Sequence, residues 1–339
     1  MDPEIGKMNT PRVTIGIPCF NAERWLGESI ESALQQTWPN KDVIVVDNGS
    51  TDRSPEIIRQ FGNRIRPFLI TQRGANRARN EVLRQSTGEW IQYLDADDYL
   101  LPAKITRQLE EAEDQRSDVG GQRSGKADFL APLTSDLRPL TSGLLYSPVL
   151  IEEHGTTRSG ELDQNLDLAS QWISWQLPQT GAFLWRKDTL EHLGGWDESM
   201  PCCQEHELYL RAIQAGARFQ FTPTANAVYR IWSDETLCRK DPLLVIETRT
   251  GLIDQMLLWL DQEGRLSDSH RATAGRAFFE MARTMAKHDL QKAAAYLKQK
   301  QSRGLVKLNS PAAPPAYRAL FHLFGFKSAE RIAGFLRAR

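Results

Sequence analysis

The chain has 339 residues, 42 Lys+Arg against 43 Asp+Glu for a formal net charge of −1, with 40% hydrophobic and 25% charged residues. That length predicts about two domains, or one large α/β domain with an extension. The composition excludes a disordered acidic chain and argues against a constitutive nucleic-acid binder, which carries a basic surplus. No apolar run approaches the ~20 residues that span a bilayer. Met1–Pro11 has no apolar core, so no secretory signal is expected. Cys19, Cys202, Cys203 and Cys238 are too few and too irregular for a disulfide scaffold or a zinc site, and are expected as thiols in a reducing cytosol.

Val13–Ile17 predicts a short β-branched strand ending at Pro18, which removes a ladder donor. Leu26, Ile30, Ala33 and Leu34 then recur at helical spacing. Asp42–Asp47 is a continuous apolar run closed by Asn48-Gly49, a strand buried on both faces. Ser54-Pro55 opens a helix. Pro67–Thr71 predicts a third strand, Ala75–Gln85 a helix ended by Thr87-Gly88, and Glu89–Leu94 a fourth strand running into Asp95-Ala96-Asp97-Asp98. Pro102 starts another helix. Such repetition implies right-handed βαβ units in an open parallel sheet, where ligands bind beyond the carboxyl ends of the strands. Three polar clusters, Pro18–Asn21, Asp47–Asp52 and Asp95–Asp98, each follow a strand.

Residues 115–126 predict a loop, with a strand near Ala127–Ala131. Helices are expected near 164–175 and 203–215, and strands at Arg218–Phe221 and Ala227–Ile231. Beyond Lys240 the pattern is helical over Leu243–Gln262, Ser267–Lys287 and Leu290–Lys300, with a linker before residue 316.

The near-zero net charge hides a local pattern. Arg53 to Arg84 contains eight arginines against Glu56 and Glu81, and Asp95 to Asp114 contains seven acids against Lys104 and Arg107. A diphosphate and metal site would need such a pair, and two solvated helices would also show it. The Asp95–Asp98 carboxylates repel one another and stay ionised cheaply only beside a cation. Mg²⁺ or Mn²⁺ binds through one or two carboxylates plus phosphates. The alternative is a helix N-terminus, where Asp is favoured by capping and the dipole. Asp47–Asp52 fits either a base- or ribose-binding turn or a plain β-to-α turn. Arg77 and Arg79 start a helix, where cations oppose the dipole. A diphosphate, solvent or a neighbouring carboxylate would compensate them.

These residues together resemble the family 2 glycosyltransferases. The pieces are Ile17-Pro-Cys-Phe-Asn21, Ile44-Val-Val-Asp-Asn-Gly-Ser-Thr-Asp52, Ala78-Arg-Asn80, Gly88–Asp98, Gln179–Arg186, Gly194-Gly-Trp-Asp-Glu198 and Gln204–Arg211. In this order and spacing they are highly specific, and they cover residues 11 to about 235.

The resemblance implies an α/β GT-A fold, with a mixed, mainly parallel sheet flanked by helices and an α-helical C-terminal extension. It implies a glycosyltransferase domain over 11–240, its nucleotide-sugar half 11–131 and its acceptor half 132–240. Helices at 241–302, a linker at 303–315 and basic amphipathic helices at 316–339 would follow. The implied activity is inverting transfer of one sugar from a nucleotide-diphosphate sugar to an acceptor hydroxyl of a glycan, glycolipid or polysaccharide precursor.

Carried over by motif, Asp47 would recognise the nucleobase, and Pro18, Phe20, Asn21 and Glu23 would border base and ribose with Gly49 and Ser50. Asp95 and Ala96 would face ribose or donor sugar. Asp97 would hold Mg²⁺ or Mn²⁺ on the diphosphate, assisted by Arg79 or Arg230. An acceptor hydroxyl needs a base as it attacks. Glu205 falls at the family's acidic pair, with His206 second. Gly181, Trp196, Asp197 and His206 would meet the acceptor, and Trp172, Trp175 and Trp185 are further candidates for stacking on sugar or for the core.

Two departures stand out. Trp232 occupies a position where the family often has a histidine near the metal, which leaves a metal-free or inactive variant open. The Gln-x-x-Arg-Trp pattern of processive synthases is absent, which predicts single-sugar transfer. A non-catalytic nucleotide-sugar or carbohydrate binding module is the alternative function. A sugar nucleotidyltransferase is excluded, because Pro18–Asn21 stands where its Gly-rich triphosphate loop would be. The tail 316–339 interleaves apolar and basic residues, as in an interfacial helix pair on an anionic membrane. Docking on the catalytic domain or on a dimer partner is the other reading. The chain is expected in the cytoplasm, with this tail as a peripheral contact on the inner face of the membrane.

Overall fold

The computed structural model describes residues 10–119, 143–232 and 240–337. Two compact units divide the chain: Met1–Leu162 with Pro178–Ser233, and Asp163–Leu177 with Asp234–Arg339.

The first unit begins β1 (Val13–Cys19), α1 (Leu26–Leu34), β2 (Lys41–Asp47), α2 (Ser54–Gln60), β3 (Arg66–Leu69), α3 (Ala75–Gln85) and β4 (Trp90–Tyr93). Short β5 (Tyr99–Leu100) and α4 (Lys104–Val119) follow. After the segment that is not described come β6 (Gly143–Tyr146), β7 (Val149–Glu153) and β8 (Thr156–Ser159). Beyond α5 (Leu168–Ile173), which belongs to the second unit, the chain returns through β9 (Phe183–Arg186), α6 (Lys187–His192), α7 (Gln204–Gln214), β10 (Arg218–Phe221) and β11 (Ala227–Ile231).

Seven strands form one sheet in the order β10-β6-β9-β4-β1-β2-β3. β3, β2, β1 and β4 run parallel, as the βαβ reading requires, while β9 is antiparallel to both β4 and β6. Ile15, Ile17 and Val43–Val46 are buried, so these strands are covered on both faces. Gly16 is needed for the cover: a Cβ there would lie 2.1 Å from Val82 Cγ1 of α3. The helix therefore rests directly on the strand. A second sheet, β5-β11-β7-β8, pairs β11 antiparallel to β5. That pairing brings the chain after β11 beside Asp95–Asp98.

Two expectations shift. The loop expected from residue 115 is still α4 up to Val119. Gln115, Arg116 and Asp118 are compatible with a helix, and the first glycine comes at Gly120. The rest of that loop and the strand at 127–131 lie outside the described residues, as does Cys238. Residues 163–177, read as part of the acceptor half, belong to the second unit.

That unit contains α5 with α8 (Pro242–Gln262), α9 (Asp268–Ala286), α10 (Leu290–Ser302) and α11 (Pro315–Arg337). Its helices start on caps: Asp167 accepts from Ser170 N, Asp241 from Leu244 N, and Ser267 and His270 form a capping box. Ile253, Met256, Phe278 and Phe279 are fully buried between them. Within α11, Gly325 sits at φ 72 and ψ 173, which breaks the helix in two.

Candidate active site

The turns after β1 and β2 are laced together. Asn21, in the left-handed region at φ 49, accepts from Thr51 N at 2.8 Å, while its own N–H donates to Ser50 Oγ at 3.0 Å. Glu23 Oε2 accepts from Arg53 N at 3.0 Å, and Glu23 N donates to Asp52 at 2.9 Å. Asp47 is buried and its Oδ1 accepts from Ser50 N at 3.0 Å, across a turn in which Gly49 has φ 73. The expected donor residues Asn21, Glu23, Asp47 and Ser50 thus build one rigid floor after Pro18. Above it, Phe20 remains 44% exposed with the Arg73 guanidinium 4.9 Å from its ring centroid.

The carboxyl end of β4 carries the acidic motif. Asp95 Oδ1 accepts from Arg79 Nη2 at 2.8 Å, Ala96 is buried, and Asp98 Oδ1 accepts from Arg230 N at 2.8 Å. Asp97 has two anchors on β11 and just beyond it: its carbonyl accepts from Arg230 Nη1 at 2.9 Å and its Oδ2 from Trp232 Nε1 at 2.9 Å. Burial pushes the Asp97 carboxyl up, and the Asp95 charge adds to that; the Trp232 N–H and Arg230 oppose it. Buried Asp98 is pushed well up, by burial first and then by the charges of Asp97 and Asp95.

Arg79 and Arg230, expected as diphosphate contacts, are both held by groups of this chain. Both are buried, and a buried guanidinium requires fixed partners. Arg79 Nη1 donates to Gln204 Oε1 at 3.0 Å and Asn76 Oδ1 at 3.2 Å, and its Nη2 lies 3.8 Å from Glu205 Oε1. Burial alone would lower the Arg79 pKa, but Asp95 and Glu205 raise it. The cation opposing the α3 dipole is thus compensated by carboxylates of this chain. Arg230 donates to Glu28 at 3.0 Å and Glu152 at 3.2 Å, with its guanidinium 4.2 Å from the Trp25 ring centroid and 4.8 Å from that of Tyr99.

Glu205 lies in the first turn of α7, after Cys203 at φ 57. Its Oε1 accepts from Thr180 Oγ1 at 3.0 Å, and its side chain is 27% exposed. Next to Thr180, the Gly181 carbonyl accepts from Gln92 Nε2 at 2.9 Å. His206 is buried with its ring centroid 5.7 Å from that of Tyr209, so Glu205 is the more accessible of the two base candidates.

Trp196, expected at the acceptor, is buried. Only 2% exposed, it packs edge-on to Tyr93, with the Arg79 guanidinium 4.7 Å from its ring centroid. Asn80 fixes its backbone from both sides, accepting from Trp196 N at 2.8 Å and donating to Trp196 O at 2.9 Å. This tryptophan supports Arg79 and offers no open stacking face. Asp197 is held by Ser199, whose N and Oγ donate at 2.8 and 2.7 Å and lower its pKa. Trp185 is stacked in the core with Phe183 and Tyr209. Trp172 and Trp175 belong to the second unit, Trp172 buried and Trp175 beneath Arg249.

Sequence reading missed Thr180, Asn76, Glu28 and Glu152. Thr180 sits inside a quoted motif and Asn76 one turn before Arg79 on the same expected helix, so proximity to Gly181 and Arg79 was a usable signal. Nothing local marks Glu28 or Glu152.

Residues 14–151 match the family model described as Glycosyl transferase family 2. The chain is 28% identical over 228 residues to EpsJ of Bacillus subtilis strain 168, described as an uncharacterized glycosyltransferase, over 65% of this chain and 61% of EpsJ. It spans 61% or less of the length of the curated relatives compared. Among solved structures, Staphylococcus aureus TarS 1–349 in complex with UDP-GlcNAc shares the fold at TM-score 0.62 and 15% identity, covering 94% of this chain and 90% of that one. The mannosyltransferase PcManGT of Pyrobaculum calidifontis, in complex with GDP-Man and Mn²⁺, gives TM-score 0.50 and 17% identity over 97% and 88% of the two chains. The fold is therefore the expected GT-A arrangement with C-terminal helices. Residues 14–151 thus carry a similarity to the family 2 glycosyltransferases.

Proposed function

We propose that the chain is an inverting glycosyltransferase that moves a single sugar from a nucleotide-diphosphate donor to an acceptor hydroxyl. One observation carries the reading: the buried Arg79 guanidinium stands between Asp95 at 2.8 Å and Glu205 at 3.8 Å. It joins the donor-side acidic motif to the candidate base. The Asn21–Asp52 floor and exposed Phe20 support a nucleoside site.

Glu205 accepts the acceptor's proton as the hydroxyl oxygen attacks the anomeric carbon. The new C–O bond forms on one face while the bond to the diphosphate oxygen breaks on the other, which inverts the centre. The nucleoside diphosphate leaves with the bonding electrons. Thr180 fixes one oxygen of Glu205, so the other is the proton acceptor in this scheme. Arg79 holds Asp95 and Glu205 apart from direct repulsion and keeps the base aligned.

The residues fit a divalent cation. Asp95 and Asp97 are hard oxygen donors, and Asp97 is pushed up by burial and by the Asp95 charge, the strain that a cation relieves. Among the described residues no group of three or more His, Cys, Asp or Glu forms a metal cluster, so donor phosphates and water would complete the coordination of Mg²⁺ or Mn²⁺ on Asp97. Bound there, the cation would neutralise charge developing on the departing diphosphate.

Donor turnover tests the proposal. Asp97→Ala and Glu205→Gln, both verified as folded, should each lower turnover by about 10²-fold or more. Wild-type rates in both would refute the assignments. A melting-temperature screen of nucleotide sugars with and without Mn²⁺ identifies the donor by mass action. Donor binding without any released nucleotide, across a broad acceptor panel, would favour the binding-module alternative.

A further inference from the structure

We propose that α11 is a docking face for an anionic lipid surface. Its outward side is apolar and cationic, with the one acid turned in. Leu323 and Phe324, immediately before the Gly325 break, are 73% and 61% exposed. Beyond the break, Ile332 and Leu336 are 39% and 65% exposed and lie four residues apart on one face.

A different stripe holds the helix to its own unit. Phe326, Ala329 and Glu330 are buried at i, i+3 and i+4. Glu330 is the only acid between residues 315 and 337, and it accepts from Arg283 and from Tyr317 Oη at 2.7 Å. Its charge is therefore neutralised inside. Lys327 and Arg331 form a third stripe, both exposed; Lys327 donates to Gln291.

An exposed apolar stripe flanked by cations, with no exposed acid, is complementary to acyl chains beneath anionic headgroups. A second protein copy would bring its own Lys327 and Arg331 to the same face, so like charges oppose that occupant. Among the described residues no helix is long and apolar enough to cross a membrane, so the contact is one of lying on the surface. The inference does not rest on the proposed chemistry, because none of these residues belongs to the acidic motif or to the Glu205 region.

Vesicle co-sedimentation of the full chain tests it. The protein should pellet with vesicles of phosphatidylcholine containing about one third phosphatidylserine and stay in solution with phosphatidylcholine alone, and added salt should weaken the binding. Paired Leu323→Glu with Phe324→Glu, Ile332→Glu with Leu336→Glu, and Lys327→Glu with Arg331→Glu should each reduce partitioning about tenfold or more. Serine at the apolar positions serves as the second variant where glutamate lowers the melting temperature. Donor turnover without vesicles should be unchanged in every pair, which separates failure here from failure of the proposed glycosyl transfer. Absent binding, equal binding to both vesicle types, or concentration-dependent self-association that the same variants abolish would overturn the proposal.

Discussion

Replacing Arg79 with methionine keeps most of the side-chain volume and removes the charge. The guanidinium it deletes bonds Asp95, Gln204 and Asn76 and stacks over Trp196. Its side chain is 6% exposed and that of Asp95 28%, so the pair lies in the regime where removing one partner strands the other. Stranding a buried partner costs about 3–5 kcal/mol, and loss of the stacking adds to it. Asp95 is partly hydrated, which places the expectation near the lower limit, about 3 kcal/mol. Urea denaturation with the slope held fixed reads this directly.

A double cycle with Asp95→Asn isolates the pair, and the two variants together should be less destabilised than the sum of the singles. Arg79→Lys retains charge but loses the planar fork, so it cannot hold Asp95 and Gln204 with the same geometry. It should recover part of the stability and little of the turnover. The reasoning fails if Arg79→Met unfolds at the wild-type denaturant midpoint, or if the double cycle shows no coupling.

Two further outcomes follow from the geometry. Trp232→Phe keeps a ring beside Trp25 but frees Asp97 Oδ2 from the indole N–H, so Mn²⁺ binding should tighten several-fold by direct titration; unchanged or weaker binding would show that the indole serves to orient the carboxylate. In the second unit, Asp167 is held down at about 2: burial raises its pKa, but hydrogen bonds from His270 and Ser170 outweigh that. Its folded pKa lies below the unfolded value of ~3.9, so its contribution is full above that pH and is lost as pH falls from about 4 to 2. The side chain is 38% exposed, which discounts the effect to about 1 kcal/mol. Asp167→Asn should flatten the melting-temperature profile over that window, and an unaltered acid limb would contradict the assignment.

The parallel half of the first sheet was legible because Val43–Val46 and Ile15–Ile17 are uninterrupted apolar runs, and burial on both faces is a local property. The antiparallel β9 was not, since Phe183–Arg186 reads the same in either direction. Motif positions were legible and their long-range partners were not. Arg79 and Arg230 looked like anion contacts because a charge near a turn has no visible partner in sequence. The partners are Gln204, 125 residues from Arg79, and Glu28, 202 residues from Arg230. Trp196, set between glycines and aspartate, looked like an exposed platform. Asn80, 116 residues away, takes both backbone groups of Trp196 and draws the ring inside.

The contact between Gly16 and Val82 makes α3 a lever. Asn76, Arg79 and Asn80 all ride on this helix, and its height above the sheet is set by a hydrogen atom where any other residue would place carbon. A methyl at position 16 pushes Val82 away, and the displacement travels along a rigid rod to the arginine between the two sides of the site. Misplacement by about 1 Å can cost a reaction some 10²-fold. For the proposed transfer, the tolerance of the chemistry is thus set in part at a strand position remote from Asp95 and Glu205, where the smallest side chain acts as the gauge.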